Sequence, residues 1–247
     1  MATYVALVNE LLRRINETTL DAAGDGFADA RNLQAIAKDA INSSTREILQ
    51  TSQEWPFLIT TYTETLSAGT GKYAWQTDVS KVDWDSFYLK QLSSKDNQPK
   101  KLTVLTYVDY LRQQRPSEDT AGTSGYTTPQ YIYKTEERKF GVTPLPDAAY
   151  EIEYRYWSFP SDLVNFNDTS IIPDRFKHVL IDGAMMYMMR FRSNEQSAAI
   201  HQQNFQNGID TMRRLLLDSP AYITSTVKAH RHFNVNTGAQ YLSLIHI

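Results

Sequence analysis

The hydrophobic period of this chain switches at one point, Trp55-Pro56-Phe57. Before it, apolar residues recur every three or four positions; after it they alternate with polar ones. Proline cannot continue a helix, and it disfavours helical backbone in the residue before it. "REILQTSQEW" is therefore expected to end a helix, and "FLITTYTETL", rich in β-branched and aromatic residues, to be a strand. Such a step is either part of a working site or a joint between structural layers.

Helical periodicity lies at both ends of the chain. Tyr4, Leu7, Val8, Leu11, Leu12 and Ile15 form one face of a short amphipathic helix. "AAGDGF", 22–27, breaks it. A second helix is expected from about 28 to 53, with Leu33, Ile36, Ala37, Ala40, Ile41 and Ile48 on one face. The pattern returns at "IIPDRFKHVLIDGAMMYMMRF", where Pro173 suits a first turn and Asp174 the positive helix end. Its expected stripe is Phe176, Val179, Leu180, Gly183, Ala184, Tyr187 and Phe191, with the methionines as core. The last helix carries Ala198, Gln202, Phe205, Ile209, Met212 and Leu216, and Pro220 is expected to end it.

Residues 57–160 read as β structure between these helices. A hairpin-type turn is expected at 67–72 with a return strand from Tyr73, and a strand at 82–92 followed by a polar turn at 93–101. A short strand and short helix fit 102–115. The Gly-, Ser-, Thr- and Pro-rich 116–130 reads as a mobile loop, 131–146 as a hairpin and 150–159 as an alternating strand. The expected fold class is α+β. A helical bundle is built from 1–56 and 161–219, an antiparallel β module is inserted at 57–160, and an extended tail occupies 220–247.

The sequence is poor in recognisable chemistry. Lys+Arg is 25 against Asp+Glu 28, so a net charge of -3 gives no basic excess for gripping nucleic acid. There is no cysteine, which removes disulfides, thiolate metal sites and cysteine nucleophiles. The N-terminus turns charged within ten residues and lacks a small-residue cleavage site, unlike a signal peptide, and the most apolar run, 179–191, is too short to span a bilayer. Gly71-Lys72 lacks the flanking residues of a phosphate loop. The five histidines, His178, His201, His230, His232 and His246, show no metal spacing. Asp83 and Asp85, on either side of Trp84, read as the wet side of a half-buried strand. No catalytic residue, metal ligand or cofactor is expected. Aromatics make up 12% of the chain and interleave with acids as much as with bases. That favours protein–protein contact over single-strand stacking.

In this order, the segments resemble the head-to-tail adaptor (connector, or tail tubular protein A-like) family of short-tailed bacteriophages. The carriers are "REILQTSQEWPFLITTYTETL", "GKYAWQTDVSKV", "TPQYIY", "FGVTPLPDAAYEIEYRYWSFPSDL" and "IIPDRFKHVLIDGAMM", covering roughly residues 4–218. The chain has "AWQTD" where the family pattern has a Pro-Asp turn. The resemblance implies a non-enzymatic virion protein, made in the host cytoplasm, in a twelve-copy homo-oligomeric ring at the neck. Its implied partners are the portal protein, the next tail or nozzle protein, and packaged DNA sliding through the lumen; no membrane is implied. It gives the tail a portal-binding role, and Tyr222, Ile223, Lys228, Arg231, His232, Phe233, Tyr241 and Leu244 are the residues that suit such a strap. Trp55, Pro56 and Phe57 are expected to be an inter-domain joint. The alternative is a phage-encoded nucleic-acid-binding protein or enzyme with a helical core.

Overall fold

A computed structural model describes residues 1–21, 27–28, 30–52, 54–90, 99–135 and 138–217. The chain is mixed α+β. It opens with α1 (Tyr4–Arg14) and α2 (Leu33–Thr51) and closes with α5 (Lys177–Phe191) and α6 (Glu195–Leu216). Between them lie β1 (Ile59–Leu66), β2 (Lys72–Ala74), β3 (Val79–Lys90), β4 (Lys100–Lys101), β5 (Thr103–Leu105), α3 (Tyr107–Asp109), α4 (Arg115–Ala121), β6 (Tyr131–Lys134), β7 (Lys139–Thr143) and β8 (Tyr150–Ser158).

The four long helices share one apolar core. In α1 the Thr3 hydroxyl accepts from the Ala6 N–H at 3.4 Å, satisfying one of the free amides of the first turn. The predicted face, Tyr4 to Ile15, is buried. Asn32, at φ 48°, turns the chain into α2, so this helix starts later than the periodicity alone indicates. At the centre lies α5, packed on α1, α2 and α6. It buries Ile181, Met185, Met186 and Met188 as well as Val179, Leu180 and Ala184. A single-stripe reading fails for a helix covered on most sides, and Phe191, assigned to the stripe, is 58% exposed. Gly183 marks the closest crossing: a Cβ there would overlap the Ser44 Oγ and lie 2.7 Å from the Phe205 ring. Ser44 donates to the Leu180 carbonyl at 2.9 Å, which satisfies its buried hydroxyl. On α6, Ala198, Phe205, Ile209 and Met212 are buried as the period requires, with Gln202 and Leu216 half-buried.

The strands form two four-stranded sheets, ordered β1-β8-β3-β4 and β2-β7-β6-β5. Their inward residues make a second core that includes Phe87, Leu89, Tyr154, Ile132, Phe140 and Val142. Rings of Trp75, Phe87, Phe140 and Tyr154 pack mostly edge-to-face and stacked, with centroids 4.6 to 6.2 Å apart. Tyr154 and Tyr156 have hydroxyls pushed to high pKa, first by burial; for Tyr156, which bonds Asp78, the value is about 12.

Three expectations for the β region are corrected. The 67–72 turn does not close a hairpin, because β1 pairs with β8 and β2 with β7. It carries the chain from one sheet to the other, fastened by the Tyr73 hydroxyl, which takes the Ser67 N–H at 2.9 Å and reaches the Thr70 carbonyl. The module is also not wholly antiparallel: β5 runs parallel to β6. Finally, 116–130 is not a loop throughout. Helix runs from α3 through a π-turn, Tyr110–Gln114, into α4. The Arg115 N–H bonds the Tyr110 carbonyl five residues back, and Pro116 then opens α4 where no N–H is required. Tertiary packing fixes this polar helix. Tyr110 stacks on Tyr133 at 3.8 Å, and Glu118 accepts from the Tyr110 hydroxyl at 3.0 Å and the Thr143 hydroxyl at 2.6 Å. Gly141 makes room, since a Cβ there would overlap the Tyr133 ring. The 131–146 hairpin stands as β6 and β7.

Candidate interaction surface

The Trp55-Pro56-Phe57 step sits where α2 gives way to β1. Pro56 opens a 3-10 turn, Pro56–Leu58, whose last N–H bonds the Trp55 carbonyl at 2.9 Å. Trp55 is fully buried in the helical core and stacks on the half-buried Phe57 at 5.7 Å. Its indole N–H donates to the Ile48 carbonyl at 3.0 Å, so the ring also satisfies an acceptor in the last turn of α2. Leu58 faces the same core, and its carbonyl accepts from the Ser158 hydroxyl at 3.2 Å, which ties the step to the end of β8. Outside, Glu54 pairs with Lys81 of β3.

Beside this step runs a groove of about 800 Å³ between α2 and residues 160–171, with Leu49 and Phe57 on its apolar side. Three polar devices shape it. Arg46 forms a two-pronged ion pair with Asp162, which holds that carboxyl below the usual range. Asp168 accepts from the Val164 and Asn165 amides at 2.8 and 2.7 Å, which lowers its pKa and closes the loop. Asn42 donates to the Leu163 carbonyl at 3.0 Å and accepts from the Leu163 N–H at 3.1 Å. No sequence pattern marks this groove. Its walls lie more than a hundred residues apart, and only "FPSDL", a Pro-led polar segment after an aromatic strand, hints at a shaped loop.

The remaining candidates take structural positions. Asp83 accepts from Arg155 at 3.0 Å, and Asp85 pairs with Lys101 at 3.5 Å, on the polar face of the first sheet. Trp84 packs inward against Trp75 at 5.6 Å. His201 meets Asp182 at 3.2 Å across α5 and α6. Among the described residues no group of three His, Asp or Glu side chains is placed to hold a metal ion, and no helix is long and apolar enough to cross a membrane. The tail residues Tyr222, Ile223, Lys228, Arg231, His232, Phe233, Tyr241 and Leu244, like His230, His232 and His246, lie outside the described residues. So do 22–26 of the expected glycine break and most of the 93–101 turn.

No curated protein matches the chain. Residues 2–226 match the family model described as SU10 adaptor protein, a span that takes in every described helix and strand, and the chain belongs to that family of phage structural adaptor proteins.

Proposed function

We propose that this chain is the ring subunit that joins the capsid portal to the tail in the virion neck. The family match over 2–226 carries the reading. In it, about twelve copies form a ring whose wall is the bundle of α1, α2, α5 and α6. The β region faces outward or toward the next tail or nozzle protein, and packaged DNA passes through the lumen. A net charge of -3 supports a lumen along which DNA slides without sticking. The 220–247 tail is the portal-binding strap. Tyr222, Ile223, Phe233, Tyr241 and Leu244 supply apolar anchors, and Lys228, Arg231 and His232 supply cations for acids on the portal. Trp55, Pro56 and Phe57 are the joint that transmits orientation from bundle to β region. No step of this role needs catalysis.

Truncation at residue 220 tests the strap. The truncated chain is expected to keep the far-ultraviolet circular dichroism and melting profile of the full chain and to lose binding to its portal in co-purification. Equal portal affinity with and without the tail refutes the strap. Electron micrographs of the virion neck test the ring: density for this chain that lacks ring symmetry, or lies elsewhere in the particle, refutes it.

A further inference from the structure

The four sheet edges are not alike. The described β4 is two residues, both lysine, while β2 and β5 have three residues each. Short and charged edges resist pairing with another chain. The exception is β1. It has eight residues, pairs with β8 through all eight in one unbroken register, and contains no lysine, arginine or proline. Half of its backbone N–H and C=O groups point away from β8, as in any edge strand. Ile59, Thr61 and Thr65 beside them are exposed.

We propose that the open edge of β1 receives residues 221–227, "AYITSTV", of a neighbouring copy as an added strand. The segment is uncharged, lies between Pro220 and Lys228, and is rich in β-branched and aromatic residues. Its seven residues are one fewer than the eight of β1. The family match runs to residue 226, past the last described residue, 217, so most of this segment belongs to the family pattern.

Chain geometry favours a neighbour over the same chain. Near the end of α6, Arg213 donates to the Thr51 carbonyl at 2.7 Å. Glu54, just after Thr51, pairs with Lys81, which shares a cross-strand row with Trp157 and Ile59. The end of α6 therefore lies against the end of α2, on the side where the chain enters β1 at Ile59. The three residues 218–220 reach about 13 Å, while Leu66 lies about 23 Å further along the strand. A strand from the same chain is confined to the parallel direction. A neighbour's strand can run antiparallel, as β8 does, which is the stronger pairing per residue. If each copy gives a strand to the next and receives one from the last, the contact is head-to-tail and closes into a ring. The inference rests on the ring reading. It moves Tyr222 and Ile223 from the portal to the neighbouring copy and leaves 228–247, with Lys228, Arg231, His232, Phe233, Tyr241 and Leu244, for the portal.

The cysteine-free chain makes the test direct. Thr63→Cys is combined in turn with Ile223→Cys, Thr224→Cys, Ser225→Cys, Thr226→Cys and Val227→Cys in the full chain, assembled with its portal and oxidised. Lys101→Cys replaces Thr63→Cys as the opposite-edge control. The expected result is a ladder of covalent multimers climbing to the ring size. It is strong at alternate tail positions, weak between them, and absent with Lys101→Cys. Alternation is the signature of a paired strand, since side chains on one face recur every second residue. A fast-running monomer band (a strand from the same chain) overturns the inference. So do uniform yields along the tail, or an intact ring with no cross-link. Absence of any ring overturns the ring reading along with it.

Discussion

Replacing Trp55 by alanine removes the largest fully buried side chain of the helical core. Burying an indole takes roughly 200–250 Å² out of water, about 5–6 kcal/mol at ~25 cal/mol per Å². The alanine that remains and the residual burial in the unfolded chain reduce this by about a third. The Ile48 carbonyl, 3.0 Å from the indole nitrogen, loses one of its two donors at the same time and keeps the Thr51 hydroxyl at 2.6 Å. The net expectation is a loss of about 3–5 kcal/mol, in line with aromatic-to-alanine changes in other cores. Trp55→Phe keeps most of the apolar volume and removes one of the two donors to Ile48, so about 0.5–1.5 kcal/mol is expected. Urea unfolding of both variants, followed by circular dichroism at a helix wavelength, measures the difference. A loss below about 1 kcal/mol for the alanine variant refutes the argument, because no core that encloses the whole ring tolerates its removal so cheaply. Equal losses for the two variants would refute the division between packing and hydrogen bonding.

Gly183→Ala drives a methyl into Ser44 and Phe205 at the α2, α5 and α6 crossing, and a loss of about 1–3 kcal/mol is expected by thermal melting. Gly141→Ala is expected to unstack Tyr133 from Tyr110 and lower near-ultraviolet circular dichroism, with far-ultraviolet helix signal largely kept. Alkaline titration is expected to destabilise the fold above about pH 10. Burial raises the folded pKa of Tyr4, Tyr133 and Tyr154, so their contribution is complete below the free tyrosine value and is lost as pH rises through the folded one. Acid acts in the opposite sense through Asp162 and Asp168, whose folded pKa values are depressed by Arg46 and by two backbone amides. Their contribution is present above about pH 4 and is lost as pH falls through the lowered values. Unfolding midpoints measured from acid to alkali check both limbs, and a flat profile beyond either limit contradicts the assignment.

The parts of this fold that could be read from the sequence are those where one face meets water. On α1 and α6 the apolar period and the polar remainder agree, so the buried residues follow from spacing alone. The turn from helix to strand at Pro56 was equally plain, because proline acts locally. Residues misread were those decided by distant partners. Phe191 fits the α5 stripe by number, yet the helix ends beyond the packed core. The 67–72 turn has hairpin chemistry, but turn residues do not reveal which sheet the next strand joins. The strand and short helix expected in 102–115 are present, but the helix runs on through 116–121, which has loop-like composition and is held through Glu118 by Thr143, arriving from β7. The groove beside Phe57 was invisible for the same reason: Arg46 and Asp162 are neighbours only after folding.

The chain leaves the helices through Pro56–Leu58 and comes back after Ser158, and these two crossings are side by side, since Ile59 is paired with Trp157. A segment whose entry and exit are neighbours can grow, shrink or be exchanged over evolutionary time without rethreading what surrounds it. In the proposed ring, the helices and the β1 edge can then keep the geometry of assembly while the strands beyond β1 diverge to follow a changing partner. In such an architecture, sequence drift is expected to concentrate in 67–149, and the paired crossing at 55–59 and 157–159 is expected to change last.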